Sequence, residues 1–318
     1  MARRPLWRAR TLAIAALICG VLAIAVAIPL TARAGDPDAA PKPTASSADG
    51  DGTPSRASSS STPQDQASPT PDASPTGGAD MASSHGPSGE SMPVGDEPGW
   101  TQVLAEDFST PVSSGGFPGP YAHQWMTYDQ IGDTWDVALY DKNVVTAHDG
   151  LLDINLHTAS DGRPRGAAPI PLIDGKWGGQ TYGKYSVRMR SDYLEGYGMA
   201  FLLWDDDNVW ANGEIDFPEG GTDGTAVAYN HVLGNPSELA LKVDSGVTFD
   251  AWHTYTIEWT PTAIRYLLDD RLVATATDNI PTTPMHWVLQ TATTGATPDP
   301  STNGHLQIDW ATQYRYTP

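Results

Sequence analysis

Three carboxylates stand within six residues at Glu214, Asp216 and Glu219, in the run Gly213, Glu214, Ile215, Asp216, Phe217, Pro218, Glu219, Gly220. Side chains alternate between the two faces of a regular strand, so Glu214 and Asp216 would share a face and Glu219 would point the other way. Pro218 argues against regularity, because it cannot donate to a sheet ladder and is tolerated mainly at edges and bulges. A bulge there shifts the phase by one residue and brings Glu219 round beside the other two. Carboxylates that close raise one another's pKa, and one of them tends to keep a proton. A carboxyl that donates a proton beside an ionised one that attacks or assists is what hydrolysis of a glycosidic bond requires. Two other readings stay open at this point. One is a solvated acidic edge, against which Ile215 and Phe217 at the alternate positions speak; the other is a calcium site, although a strand gives poor access to the roughly 6 to 8 oxygens calcium takes.

The elements that must hold these groups lie between Trp100 and Pro318, where short segments alternate with period two and are separated by Gly, Asp, Asn and Pro. Strands are predicted over Leu151 to Leu156, Tyr182 to Arg190, Thr225 to Val232, Trp252 to Trp259, Ala263 to Leu268, Leu272 to Thr277 and His305 to Tyr316. Met199 to Trp204 is apolar throughout, as a strand covered on both faces would be. No amphipathic helix stands out. Many short strands in about 220 residues indicate one β-sandwich, closer to a jelly roll than to an immunoglobulin domain.

The rest of the 318-residue chain is of another kind. Four arginines, Arg3, Arg4, Arg8 and Arg10, precede an apolar run from Thr11 to Leu30, followed by Ala32, Arg33 and Ala34. Residues 1 to 34 therefore read as an export signal, or as a signal anchor if the segment stays uncut, and either places the remainder outside the cell. Residues 35 to 97 are Ser, Thr, Pro, Ala, Gly and Asp with almost no larger apolar side chain, a composition expected to form a disordered linker. Residues 98 to 318 are expected to form the catalytic domain. Of 11 tryptophans only Trp7 and Trp100 fall in the first 100 residues, which hold no tyrosine or phenylalanine.

Composition excludes several chemistries. The only cysteine, Cys19, lies in the apolar run, so the exported part has no thiol for a disulfide, a cysteine metal site or a cysteine nucleophile. The formal charge is −20, and without residues 1 to 34 it is −25. Such a surface repels nucleic acid and anionic lipid, whereas a neutral polysaccharide is not penalised. Hydrolase elbows, zinc helices, phosphate loops, dinucleotide fingerprints and repeats of solenoid length are absent from the sequence.

With these residues in view, the chain resembles glycoside hydrolase family 16, over nearly all of residues 100 to 318. Glu214, Asp216 and Glu219 fit the family's Glu-x-Asp-x-x-Glu motif in its bulged form. Supporting matches are Tyr182, Gly183, Lys184, Tyr185 through Arg190, then Trp252, His253, Thr254, Tyr255 through Trp259, and Ile308, Asp309, Trp310. The resemblance implies an all-β jelly-roll sandwich of two antiparallel sheets with a concave substrate cleft. It implies Glu214 as nucleophile, Asp216 as assisting residue and Glu219 as general acid/base, acting by double displacement with retention.

Sugar rings present apolar C–H faces, so the cleft should carry aromatic side chains edged by polar groups. Trp210 is the first expected platform, because the family keeps an aromatic there, followed by Trp204, Trp135, Trp177 and Trp287. Asn230, His231 and Gln290 are expected to reach the substrate, and His253 to be structural. Asp205, Asp206 and Asp207 are expected in a solvated loop at the cleft rim. No cofactor is expected to be required; the resemblance adds a structural calcium held by Asp309 and the carbonyl of Gly150. The expected function is endo-hydrolysis of an extracellular β-glycan, a β-1,3-glucan first, by a monomer that meets the membrane only through an uncut N-terminal segment. Transglycosylation by the same intermediate and a non-catalytic glycan-binding jelly roll are the alternatives. Asp136, Val137 and Ala138 after Trp135, and Ala292 where lichenases place a tryptophan nearby, depart from relatives and leave the glycan open.

Overall fold

The computed structural model describes residues 86–318. The expected export segment over residues 1 to 34, and the linker as far as residue 85, lie outside the described residues. Twelve strands of five residues or more are numbered in chain order. They are β1 (Trp100–Glu106), β2 (Leu151–Thr158), β3 (Gly183–Ser191), β4 (Tyr197–Asp205), β5 (Glu214–Gly221) and β6 (Thr225–His231), then β7 (Leu239–Thr248), β8 (His253–Trp259), β9 (Ile264–Leu268), β10 (Arg271–Ala276), β11 (Met285–Thr293) and β12 (Asn303–Tyr316). Eight of the twelve match the expected strands to within two residues; β5 carries the acidic motif, and β1, β7 and β11 are not among those expected.

An outer sheet runs in the order β10-β9-β8-β3-β12-β2 and continues through the short strands Pro164–Gly166, Leu139–Tyr140 and Ile131–Gly132. An inner sheet has the order β7-β6-β5-β4-β11, with every pairing antiparallel. The chain thus forms the all-β sandwich of a jelly roll. Period-two alternation supplies the layer between the sheets. Val187, Met189, Tyr255 and Ile257 from the outer sheet meet Phe201, Leu203, Ile215, Phe217, Trp287 and Leu289 from the inner one, all fully or almost fully buried. Each such side chain contributes roughly 1.5 to 3 kcal/mol by leaving water, which makes this layer the main support of the fold.

A second apolar cluster lies on the opposite face of the inner sheet. Leu202, Trp204 and Val288 are covered there by Tyr140, Ala168 and Ile170, with Met126, Tyr128 and Ile131 against them. The uniformly apolar Met199 to Trp204 is explained by this double covering.

The linker expectation needs correction at its end. Residues 86–97 are tied across the outer sheet: the Ser88 N–H donates to Asp309 Oδ2 at 3.1 Å, and Arg188 Nε donates to Ser88 Oγ at 2.6 Å. Arg188 also pairs with Glu90 at 2.7 Å, and Lys184 with Glu97 at 2.7 Å. Composition could not show this, because the attachment is made by polar contacts to buried Arg188 and Asp309 and needs no large apolar side chain.

Candidate active site

The inner sheet carries the acidic motif at its centre. Opposite β4, Ala200 pairs with Glu219 and Leu202 with Asp216, so two steps along β4 match three along β5. The same slip appears opposite β6, where Val227 meets Glu219 and Tyr229 meets Asp216. One extra residue at Phe217 and Pro218 therefore restores the phase and puts Glu219 on the face of Glu214 and Asp216. Ile215 and Phe217 point into the core between the sheets.

The site is crowded. Glu214 and Asp216 are buried, while Glu219 keeps part of its surface open. Burial pushes all three carboxyls above the usual carboxylate range, and their mutual repulsion adds to it. Glu219 is pushed up to about 8, by burial first and the charge of Glu214 second. Trp210 donates its indole N–H to Glu214 Oε2 at 2.5 Å, which favours the ionised form of that carboxyl. Neither oxygen of Asp216 accepts a well-formed hydrogen bond.

His231 supplies the counter-charge. Its Nδ1 lies 2.5 Å from the carbonyl of Pro236, which can only accept, so Nδ1 carries a proton. Nε2 then faces the acids, 3.4 Å from Asp216 Oδ2 and 3.7 Å from Glu214 Oε2. Burial alone would lower the pKa of this imidazole, but Asp216 and then Glu214 outweigh it and raise it to about 10. Glu214, Asp216 and His231 bring ligand atoms within 4.8 Å of one another, so the trio could hold a cation. A protonated Nε2 is a donor, however, and a metal would have to displace that proton.

Of the expected cleft residues, several lie where they can meet a substrate. Trp210 stands beside Glu214, its ring 5.9 Å from that of His231. Trp204 forms floor between β5 and β11, with its N–H on Asn208 Oδ1 at 2.7 Å. Trp135 and Trp177 are exposed, the first packed against Gly295. Gln290 lies on the cleft face and accepts from Tyr140 Oη at 2.8 Å.

Two expectations fail. Asn230 is fully buried on the core side and donates to the carbonyls of Asp278 and Asn279, because alternation along β6 puts Asn230 on the core face with Ile215 and leaves Tyr229 and His231 on the cleft face. Trp287 is likewise on the core side, edge-on to Tyr185 at 5.6 Å, leaving His286 and Val288 to face outward. The rim loop is also more ordered than expected. Asp205 is buried and accepts from the N–H groups of Asp207 and Val209, from Asn212 and from Thr283. Sequence reasoning passed over His286, Tyr140 and Tyr229; the parity of β11 would have pointed to His286 had Trp287 been assigned to the core.

The residues proposed for calcium do not fit one well. Asp309 is buried and its Oδ2 already accepts the Ser88 N–H, while Gly86 packs so closely against the carboxylate that a Cβ there would collide with it. Pro87 roofs Gly150. A single carboxylate engaged in this way falls short of the roughly 6 to 8 oxygens calcium takes. We therefore expect thermal unfolding of the full chain to be the same in EDTA and in calcium. A chain starting at Pro98 should be less stable by denaturant titration, because the Arg188–Glu90 pair and the Ser88 hydrogen bonds to Asp309 and Arg188 are lost.

Residues 175–312 match the sequence model of glycosyl hydrolases family 16. A beta-glucanase of Bacillus subtilis (strain 168) is 36% identical over 107 residues, 32% of this chain and 43% of that protein. A beta-glucanase of Rhodothermus marinus is 30% identical over 199 residues, 55% of this chain and 65% of that one. The chain thus spans less than two thirds of either relative. Among solved structures, the laminarinase from Flavobacterium sp. UMI-01 superposes with a TM-score of 0.57 at 19% identity, over 68% of this chain and 100% of that one. The Bacillus licheniformis beta-glucanase gives 0.54 at 20%, over 69% and 99%. At these identities the structural likeness speaks for the fold.

Proposed function

We propose that this chain, which matches the family 16 glycosyl hydrolase model over residues 175–312 and resembles beta-glucanases, is a retaining endo-β-glycanase that cuts an extracellular polysaccharide, a β-1,3-glucan first among them. The observation that carries this reading is the bulge at Pro218, which gathers three carboxyls with raised pKa values on one open face.

In the first step Glu219 gives its proton to the leaving glycosidic oxygen while the Glu214 carboxylate bonds to the anomeric carbon. In the second, water attacks that carbon, Glu219 takes the water's proton, and the bond to Glu214 breaks. Glu214 and Glu219 are both pushed up to about 8, so the pair holds a proton at neutral pH, and the double-displacement roles place it on Glu219 as the donor. The Trp210 N–H and the His231 charge favour ionised Glu214, as a nucleophile needs. Asp216, between the two glutamates, passes the charge of His231 to the pair and helps hold their protons apart. The beta-glucanase relatives support a glucan substrate, and the surface charge of −20 disfavours an anionic one. Among the described residues no helix is long and apolar enough to cross a membrane. Extracellular action rests on the export character of residues 1 to 34.

Azide separates the two glutamates. Glu214→Ala with azide is expected to yield an α-glycosyl azide, and Glu219→Ala a β one; the opposite pair of products would reverse the roles. Reducing ends released from laminarin, lichenan, agarose, carrageenan and xyloglucan would identify the glycan, with laminarin expected to be cut fastest.

A further inference from the structure

On the β11 side of the cleft lies a group of side chains that this chemistry does not use. His286 is in register with Trp204, which is in register with Glu214, so the three form a row across the sheet. Adjacent strands lie about 4.8 Å apart, which sets His286 roughly 10 Å from Glu214, a separation of the order of two sugar rings.

His286 is 3% exposed, and its Nδ1 meets Asp206 Oδ1 at 2.9 Å. The other oxygen of Asp206 accepts the Gly179 N–H at 2.8 Å. Gln180 and Met285 exchange two backbone hydrogen bonds at 3.1 Å, and a Cβ on Gly179 would collide with the Met285 carbonyl. The segment 176–180 is therefore pinned along the edge of β11. It carries Trp177, whose ring lies 4.5 Å from that of His286 with the planes 48° apart. Nε2 of His286 is buried and meets no hydrogen-bonding group, so the histidine is held for its ring against the indole and not for a polar partner on that side. Trp177 is nevertheless 41% exposed. An indole fixed on one side and wet on the other is what stacking on the apolar face of a sugar requires.

We propose that Trp177, backed by His286 and Asp206, is the stacking platform of an outer subsite that binds an uncharged pyranose unit of the polymer. The proposal rests on the glycanase reading and deepens it. Asp206, held against His286 and Gly179 beside the indole, and the net charge of −20 disfavour sulfated or carboxylated sugars. Trp177 touches the sugar; His286 and Asp206 are positioning residues that hold the indole.

The test compares variants on laminarin and on a short aryl β-glycoside reaching only the sites beside Glu214, with gel retardation by laminarin as a readout that needs no cleavage. Trp177→Ala should lower kcat/KM about tenfold more on laminarin than on the aryl glycoside, mostly through KM, and should weaken retardation. Trp177→Phe should recover part of both. His286→Ala should give the same pattern at smaller size, and His286→Phe, which keeps a ring beneath the indole, should recover it. Equal losses on both substrates, or none on either, would overturn the subsite and leave the glycanase reading standing. Retardation of an inactive wild type that Trp177→Ala abolishes would sink the glycanase reading and keep the platform. A wild type neither active nor retarded would end both, and stronger retention by carrageenan than by laminarin would overturn the neutral-sugar assignment.

Discussion

Glu219→Gln is expected to lower kcat by about 10² to 10⁴ and to stabilise the protein at alkaline pH. The folded-state pKa of Glu219 is pushed up to about 8 from an ordinary 4.5, by burial and the charge of Glu214. A raised pKa means that the stability this group contributes is full below about 4.5 and is lost as the pH rises through about 8. Glutamine cannot ionise, so the variant escapes that loss. One pKa unit corresponds to about 1.36 kcal/mol, but Glu219 keeps part of its surface in solvent, and about 2 kcal/mol at pH 9 is the discounted figure. For a domain of this size that is a rise in Tm of about 4 to 8 °C, absent at pH 4.5. Thermal melts across that range, beside kcat on laminarin, check both halves. An equal Tm for variant and wild type at pH 9 would mean that Glu219 is not held in the environment described. Wild-type activity should fall on the alkaline side near the same pH, as the acid loses its proton.

His231→Ala should be as damaging from the opposite direction. Removing the imidazolium leaves Asp216 and Glu214 buried without the charge that faces them at 3.4 and 3.7 Å. Both carboxyls should then ionise at higher pH, moving the acid limb of the kcat profile upward by about one unit or more. A cost of about 3 kcal/mol in stability is expected near neutral pH, since one partner of a buried charged group has been withdrawn. The pKa of His231 is raised to about 10, so this contribution is complete below about 6.5 and disappears as the pH passes 10. His231→Gln, which preserves a donor but no charge, should shift the limb while recovering part of the stability. An unshifted acid limb in both variants would show that the imidazole does not govern the acids.

Much of the site could be read in advance because its signals are local. The motif from Glu214 to Glu219 contains its own instruction, since proline in a central strand has few places to go, and a bulge there has a single consequence for the next side chain. Trp210 and His231 were reachable for a related reason: each lies near the motif or on the strand that returns beside it. The errors at Asn230 and Trp287 have a common origin. Period two shows which residues share a face but not which face is the core; β11 carries buried side chains on both sides, and in β6 His231 is buried on the cleft side as Asn230 is on the core side. In β6 the core-side residues Ala226 and Ala228 are too small to mark their face.

The sequence by itself determined most of the strand pattern, the gathering of three acids at a kink, and a strongly negative chain whose single cysteine is Cys19, because all of these follow from neighbouring residues or from counting. The tertiary structure alone decided what depends on distant partners. It set His231 rather than Asn230 before the acids, put His286 beneath Trp177, and laid residues 86–97 over Asp309 and Arg188. The reason is that a buried charge or an unpaired ring is tolerated only where another part of the fold satisfies it, and that partner can stand more than two hundred residues away, as Ser88 does from Asp309.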